Sequence, residues 1–189
     1  MGYENVGRVW TPAELRQYLA TLDRPAWARS ITFHHTGVPS LEQRPRGFLP
    51  SHMTNLQHYY QVTNKWSAGP HLFIDEDQCW GMSDFRRYGV HARSFNRSSI
   101  GIEVLGNYDV ESPTGGRGQQ CWNTAAAAGK ALLDWLGVEA NAINVHFHRD
   151  DPRTTKTCPG TKVDKNWVLE LMRNSANAGA PAQAAAGPR

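Results

Sequence analysis

Residues 145–160 read VHFHRDDPRTTKTCPG. A strand-like run at 143–148 empties into a polar loop, and the loop closes on Cys158, followed by Pro159 and Gly160. His148 stands ten residues before that cysteine. Histidine and cysteine are preferred zinc ligands, and so polar a loop gives Cys158 no apolar reason to be there. The spacing is neither that of a zinc finger nor that of an HExxH helix. On these residues alone, a chance cysteine in a surface turn beside a strand-end histidine is an equal reading.

Two further stretches bear on the choice. Residues 30–37, SITFHHTG, form another short strand that ends in histidine and breaks at glycine. A catalytic zinc site takes three protein ligands and keeps a fourth position for water. One histidine of this pair, with His148 and Cys158, completes such a set. Residues 98–106, SSIGIEVLG, place Glu103 inside an aliphatic strand, where a lone carboxylate costs desolvation unless it faces a cleft. Successive strand residues point to opposite faces. Ile31 and Phe33 therefore oppose His34, Ile102 and Val104 oppose Glu103, and Val145 and Phe147 oppose His148. Parity puts His34, Glu103 and His148 on one side of one sheet. It leaves His35 open, because it does not say which face of the first strand is inward.

Four blocks in this order, FHHTG at 33–37, GPHLFID at 69–75, VHARSFNRSSIGIEVLG at 90–106 and HRDDPRTTKTCPG at 148–160, resemble the zinc-dependent N-acetylmuramoyl-L-alanine amidases of type 2. That family includes phage amidases and peptidoglycan-recognition proteins. The resemblance covers roughly residues 29–173. It implies an α/β fold, a central mixed β-sheet flanked by helices with a zinc site at one side of the sheet. It implies His34, the first of the pair, as the zinc ligand with His148 and Cys158, and hydrolysis of the amide between the muramic lactyl group and L-alanine of peptidoglycan. Lys156, in the matched TKTCPG block, is implied as the oxyanion-stabilising group. His71, His91 and Asn96 are implied as substrate-binding residues, with His71 packed behind the site. Many relatives carry tyrosine or a small residue where this chain has Pro70. That excludes a tyrosine acting from position 70 and puts the proton-handling role on Glu103. Non-catalytic relatives usually lack the cysteine ligand, so its presence argues for an enzyme over a peptidoglycan-binding protein. A hydrolase using Cys158 as nucleophile is a second rival.

The chain has 189 residues, 40% of them hydrophobic, which suits one domain with a real core. A net charge of +3 is too small to argue for nucleic acid. Three cysteines are an odd count and no disulfide framework. A zinc-binding thiolate favours synthesis in a reducing compartment. The start, MGYENVGRVW, has no apolar signal core, and no run approaches the roughly 20 apolar residues of a membrane span. These features predict a protein made in the cytoplasm without a signal peptide, with no nucleic acid and no membrane as partner; the resemblance implies peptidoglycan or muropeptide as partner, and a monomer is expected. It would reach a cell wall only after release. A short amidase of this kind, ending in a linker-like tail, matches a phage endolysin; a cytoplasmic wall-recycling amidase is the alternative.

The chain divides into an N-terminal helical segment (1–28), a catalytic domain (29–173) and a disordered Ala/Pro/Gly-rich tail (174–189). Thr11, Pro12 and Glu14 form a capping box opening a helix that ends near Asp23. Ser51 predicts a helix over 52–62 with Met53, Leu56, Tyr59 and Tyr60 as a core stripe. A hairpin joins 70–75 to 79–82. Residues 108–118 read as a Gly-rich loop, 122–136 as a helix stopped by Gly137, and 163–173 as the last helix. Cys79 and Cys121 read as buried thiols without function.

Overall fold

Two apolar strands, β2 (Ser30–His35) and β5 (Ser99–Val104), pair in parallel at the centre of a six-stranded sheet in the computed structural model, which describes residues 2–177. Their Ile31, Phe33, Ile100 and Ile102 are wholly buried, the pattern expected where parallel strands are covered. β3 (Leu72–Ile74) continues the parallel run beside β5, and β6 (Val145–Phe147) beside β2. β4 (Cys79–Gly81) closes the predicted hairpin antiparallel to β3. β1 (Val9–Trp10) adds an antiparallel edge strand to β4. The order is β1-β4-β3-β5-β2-β6, a mixed sheet as expected.

The register fixes what stands beside what. His34 pairs with Glu103, and Phe33 with both Ile102 and Phe147. Neighbouring parallel strands lie about 4.8 Å apart, so His34 and Glu103 project from adjacent rungs on one face, as parity requires.

Three helices cover the opposite face. α3 (Gly116–Leu136) crosses β2 and β5, and α1 (Pro12–Leu19) and α4 (Lys165–Asn177) pack on α3. A Cβ at Gly129 of α3 would come within 2.8 Å of Phe33 Cζ and 2.9 Å of Ile31 Cδ1, so glycine there lets helix and sheet approach. Trp122 of α3 is fully buried between the rings of Phe33, Tyr108, Phe147 and Trp167.

Several boundaries differ from the sequence expectation. α1 opens on the predicted capping box, with Thr11 N–H donating to Glu14 Oε2 at 2.8 Å and Glu14 N–H to Thr11 Oγ1 at 3.3 Å. It ends at Leu19, short of Asp23. Within residues 1–28, β1 joins the common sheet, and Leu15 and Leu19 of α1 are buried against the core. α2 runs Pro50–His58 with Pro50, not Ser51, opening it; proline suits a first helical position, and Leu49 N–H donates to His52 Nδ1 at 3.1 Å. A π-helical turn, Tyr59–Thr63, follows it. α3 begins six residues earlier than read, and Gly137 ends it at φ 69°. α4 opens with Asp164 Oδ1 accepting Trp167 N–H at 2.8 Å. It extends to Asn177, so residues 174–177 are helical; the rest of the expected tail lies outside the described residues. Among the described residues, no helix is long and apolar enough to cross a membrane.

Candidate metal centre

The loop after β6 is folded back by Arg149. Its backbone N–H donates to the Cys158 carbonyl at 2.8 Å, and its guanidinium donates to the carbonyls of Gly160 and Val163, each at 2.7 Å. Asp109 grips the far side, accepting from Thr157 Oγ1 and Thr161 N–H, each at 2.8 Å. Gly160 sits at φ 110° against Tyr108, a conformation and a closeness that favour glycine. The cysteine is thereby delivered beside the end of β2.

His34, His148 and Cys158 meet there, with their ligand atoms all within 4.8 Å of one another. His34 Nδ1 is 3.1 Å from His148 Nδ1 and 3.7 Å from Cys158 Sγ. Donors about 2.0–2.3 Å from a tetrahedral centre lie roughly 3.3–3.7 Å apart, so the donor set and its spacing fit zinc. His35 stays out of the group: its Nδ1 accepts the Tyr108 N–H at 3.1 Å, and its own N–H points to Cys158 Sγ at 3.4 Å.

The electrostatics also suit a cation. Burial, then the neighbouring His91 and His148, hold His34 well below the ordinary imidazole range, and burial with Lys156 lowers His148. Both rings are therefore neutral, as metal ligands must be. Burial and Glu103 push the Cys158 thiol up. Without a bound cation it is a poor nucleophile, since the thiolate is the reactive form, which counts against the cysteine-hydrolase rival. Glu103 Oε1 lies 3.9 Å from His34 Nδ1. Burial pushes its carboxyl up to about 8, with Lys156 pulling the other way.

All five of these residues line one cleft of about 750 Å³. Lys156 is exposed at its rim and His91 forms part of its floor. His71 and Asn96, expected to touch substrate, are not among its lining residues. His71 is wholly buried, with Nδ1 accepting Gly101 N–H and Nε2 donating to the Arg87 carbonyl, each at 3.0 Å. It packs behind the site, as the resemblance implied, without facing the cleft. Asn96 Oδ1 accepts the N–H groups of His91 and Ala92 at 2.8 and 2.9 Å; it shapes the loop.

The far wall was not legible. Arg44, Phe48, Leu56, Tyr59, Tyr60 and Trp66 line it. Tyr59 and Tyr60 read as core at helical spacing, yet Tyr59 is 50% exposed, because six residues on from Met53 in a helix of 3.6 residues per turn it lies roughly 120° away from that residue's line. The signal that was available is a pair of tyrosines with Trp66 just ahead of the GPHLFID block.

Solved structures share this architecture. The endolysin N-acetylmuramoyl-L-alanine amidase LysCS from Clostridium intestinale aligns at a TM-score of 0.56 with 20% identity, over 78% of this chain and 84% of that one. Drosophila PGRP-LB aligns at 0.52 with 21% identity, over 75% and 78%. Identities this low establish likeness of fold. In sequence, a peptidoglycan recognition protein of Trichoplusia ni is 29% identical over 103 residues, 54% of this chain and 48% of that protein. The match thus spans about half of that relative. A family model described as N-acetylmuramoyl-L-alanine amidase matches residues 22–161, from the turn after α1 through the cysteine loop. On the strength of that match, the chain belongs to the N-acetylmuramoyl-L-alanine amidase family.

Proposed function

We propose that the protein is a zinc-dependent amidase that hydrolyses the bond between the lactyl group of N-acetylmuramic acid and L-alanine in peptidoglycan, and that it acts as a monomeric phage endolysin. The observation that carries this reading is the convergence of His34, His148 and Cys158 on one point of a cleft that also holds Glu103 and Lys156. A peptidoglycan-binding protein without activity needs neither a three-donor cluster nor a buried carboxylate beside it.

His34 Nδ1, His148 Nδ1 and Cys158 Sγ would hold the ion, and zinc there supplies Lewis-acid chemistry, polarising a carbonyl and acidifying water. Glu103 takes the proton of the attacking water and returns it to the leaving amine as the C–N bond breaks. Burial raises its carboxyl, and the charge of a cation held by the three ligands would draw it back toward the ionised form that accepts the proton. The Lys156 ammonium faces the carbonyl oxygen as negative charge develops on it. The aromatic far wall accommodates the remainder of the muropeptide.

Whole sacculi and soluble muropeptides are incubated with the protein, and the products are identified by mass spectrometry. The expected products are free peptides beginning with L-alanine and intact glycan, with 1,10-phenanthroline abolishing the reaction and zinc restoring it. Glycan cleavage, or activity indifferent to chelation, overturns the proposal. Turnover of soluble fragments without attack on sacculi replaces the endolysin role with wall recycling. Lys156→Ala is expected to lower kcat by roughly 100- to 1,000-fold, the scale of one oxyanion-stabilising group, with zinc content unchanged. An undiminished kcat removes Lys156 from the chemistry.

A further inference from the structure

His34 has two ring nitrogens, and only an unprotonated Nδ1 can face His148 and Cys158 as a ligand. The structure contains a chain of contacts that decides this. The Ser99 carbonyl, which can only accept, lies 3.0 Å from His91 Nε2. The His91 proton is therefore on Nε2, and its Nδ1 carries a lone pair. That Nδ1 is 3.1 Å from His34 Nε2. His34 must then donate from Nε2, which leaves its Nδ1 free of hydrogen on the side of the metal site. The two rings stand at 89° with centroids 5.2 Å apart, so the ring edges rather than the faces meet.

The His91 ring is held by its surroundings. A Cβ at Gly101 would come within 2.5 Å of His91 Cγ, so the bare backbone of β5 is what lets the ring lie against it. Asn96 Oδ1 pins the His91 backbone at 2.8 Å. His71 closes the far side, with its ring centroid 6.1 Å from that of His91 and its Nδ1 on the Gly101 N–H. His91 thus relays a backbone carbonyl of β5 to a side chain of β2.

We infer that His91 is a positioning residue: through the Ser99 carbonyl it fixes His34 in the Nε2–H tautomer and so prepares Nδ1 to bind metal. It acts through His34 and not on substrate. The inference rests on the proposed ligand role of His34. Outer-shell partners of ligating histidines are worth about 10- to 100-fold in metal affinity.

The test is in two parts. Long-range 1H–15N correlation spectra of the metal-free wild type report which nitrogen of His34 carries the proton; the expected result is Nε2, and a proton on Nδ1 overturns the inference. Zinc affinity is then measured by competition with a chelating dye for wild type, His91→Phe and His91→Gln. Phenylalanine removes the acceptor, and zinc binding is expected to weaken by about 10- to 100-fold. Glutamine offers an amide oxygen to His34 and an N–H to Ser99, and should recover most of the loss. Equal affinity in all three overturns the inference while leaving the amidase reading intact. A wild type that binds no zinc overturns the ligand assignment and this inference together. Should His91→Phe fail to fold, the wild-type spectra and His91→Gln still decide.

Discussion

Glu103→Gln is expected to lower kcat by roughly 100- to 10,000-fold, the range of general acid–base terms, while the protein keeps about one zinc per chain. The substitution preserves shape and hydrogen-bonding capacity and removes only the ability to take a proton. The size follows from position. Glu103 pairs with His34 across β2 and β5, and its carboxyl is 3.9 Å from the ligand nitrogen. Burial pushes it up to about 8. Position 70 is proline and brings no ionisable side chain. Substrate affinity should change little, since the loss is confined to the transition state. The double variant with Lys156→Ala should fall short of the product of the single losses, because both groups serve one transition state. A Glu103→Gln enzyme with full zinc and near-normal kcat would require another base.

Cys158→Ser is expected to remove most of the zinc and, with it, essentially all activity. The thiolate is the only anionic donor of the three. A serine hydroxyl does not ionise under the same conditions, and burial that already raises the thiol disfavours an alkoxide further. The loss of affinity should exceed the 10- to 100-fold typical of an outer-shell change, because a direct ligand is gone. Because the thiol must lose its proton to bind, zinc uptake by the wild type should release a proton and uptake by the variant should not. Elemental analysis after dialysis against a weak chelator reads the result. Full zinc retention by both Cys158→Ser and His34→Ala rules out the site.

Parity made much of this centre visible in the sequence. His34 and Glu103 each lie on the face opposite an aliphatic set, and a polar residue so placed must face something polar; His148 falls just past β6, at the first residue of a 3-10 turn, so strand parity did not extend to it. The pairing of His34 with Glu103 was not visible, because register depends on which strands become neighbours and at what offset. His35, the other histidine of the pair, is engaged by Tyr108, which reaches it from 73 positions away. Gly118 read as loop by propensity, and α3 absorbs it because it is buried against the Ser112 carbonyl, where a Cβ would not fit; tertiary packing overrides a local cost of about 1 kcal/mol, while Gly116 starts the helix at φ 56°, a conformation glycine favours. The link from Ser99 through His91 to His34 joins three segments and leaves no local mark.

The two-residue strand β1 has a practical bearing on how the gene is cut. The family match starts at residue 22, and an expression clone trimmed to that boundary discards both β1 and α1. The backbone of Cys79–Gly81 then loses its outer neighbour, leaving a bare strand edge of the kind that templates aggregation. The surface of α3 that received Leu15 and Leu19 becomes an apolar patch open to solvent. The stretch matched by the family model is thus shorter than the sheet and its helix layer, and shortened forms should be cut ahead of residue 9 rather than at residue 22.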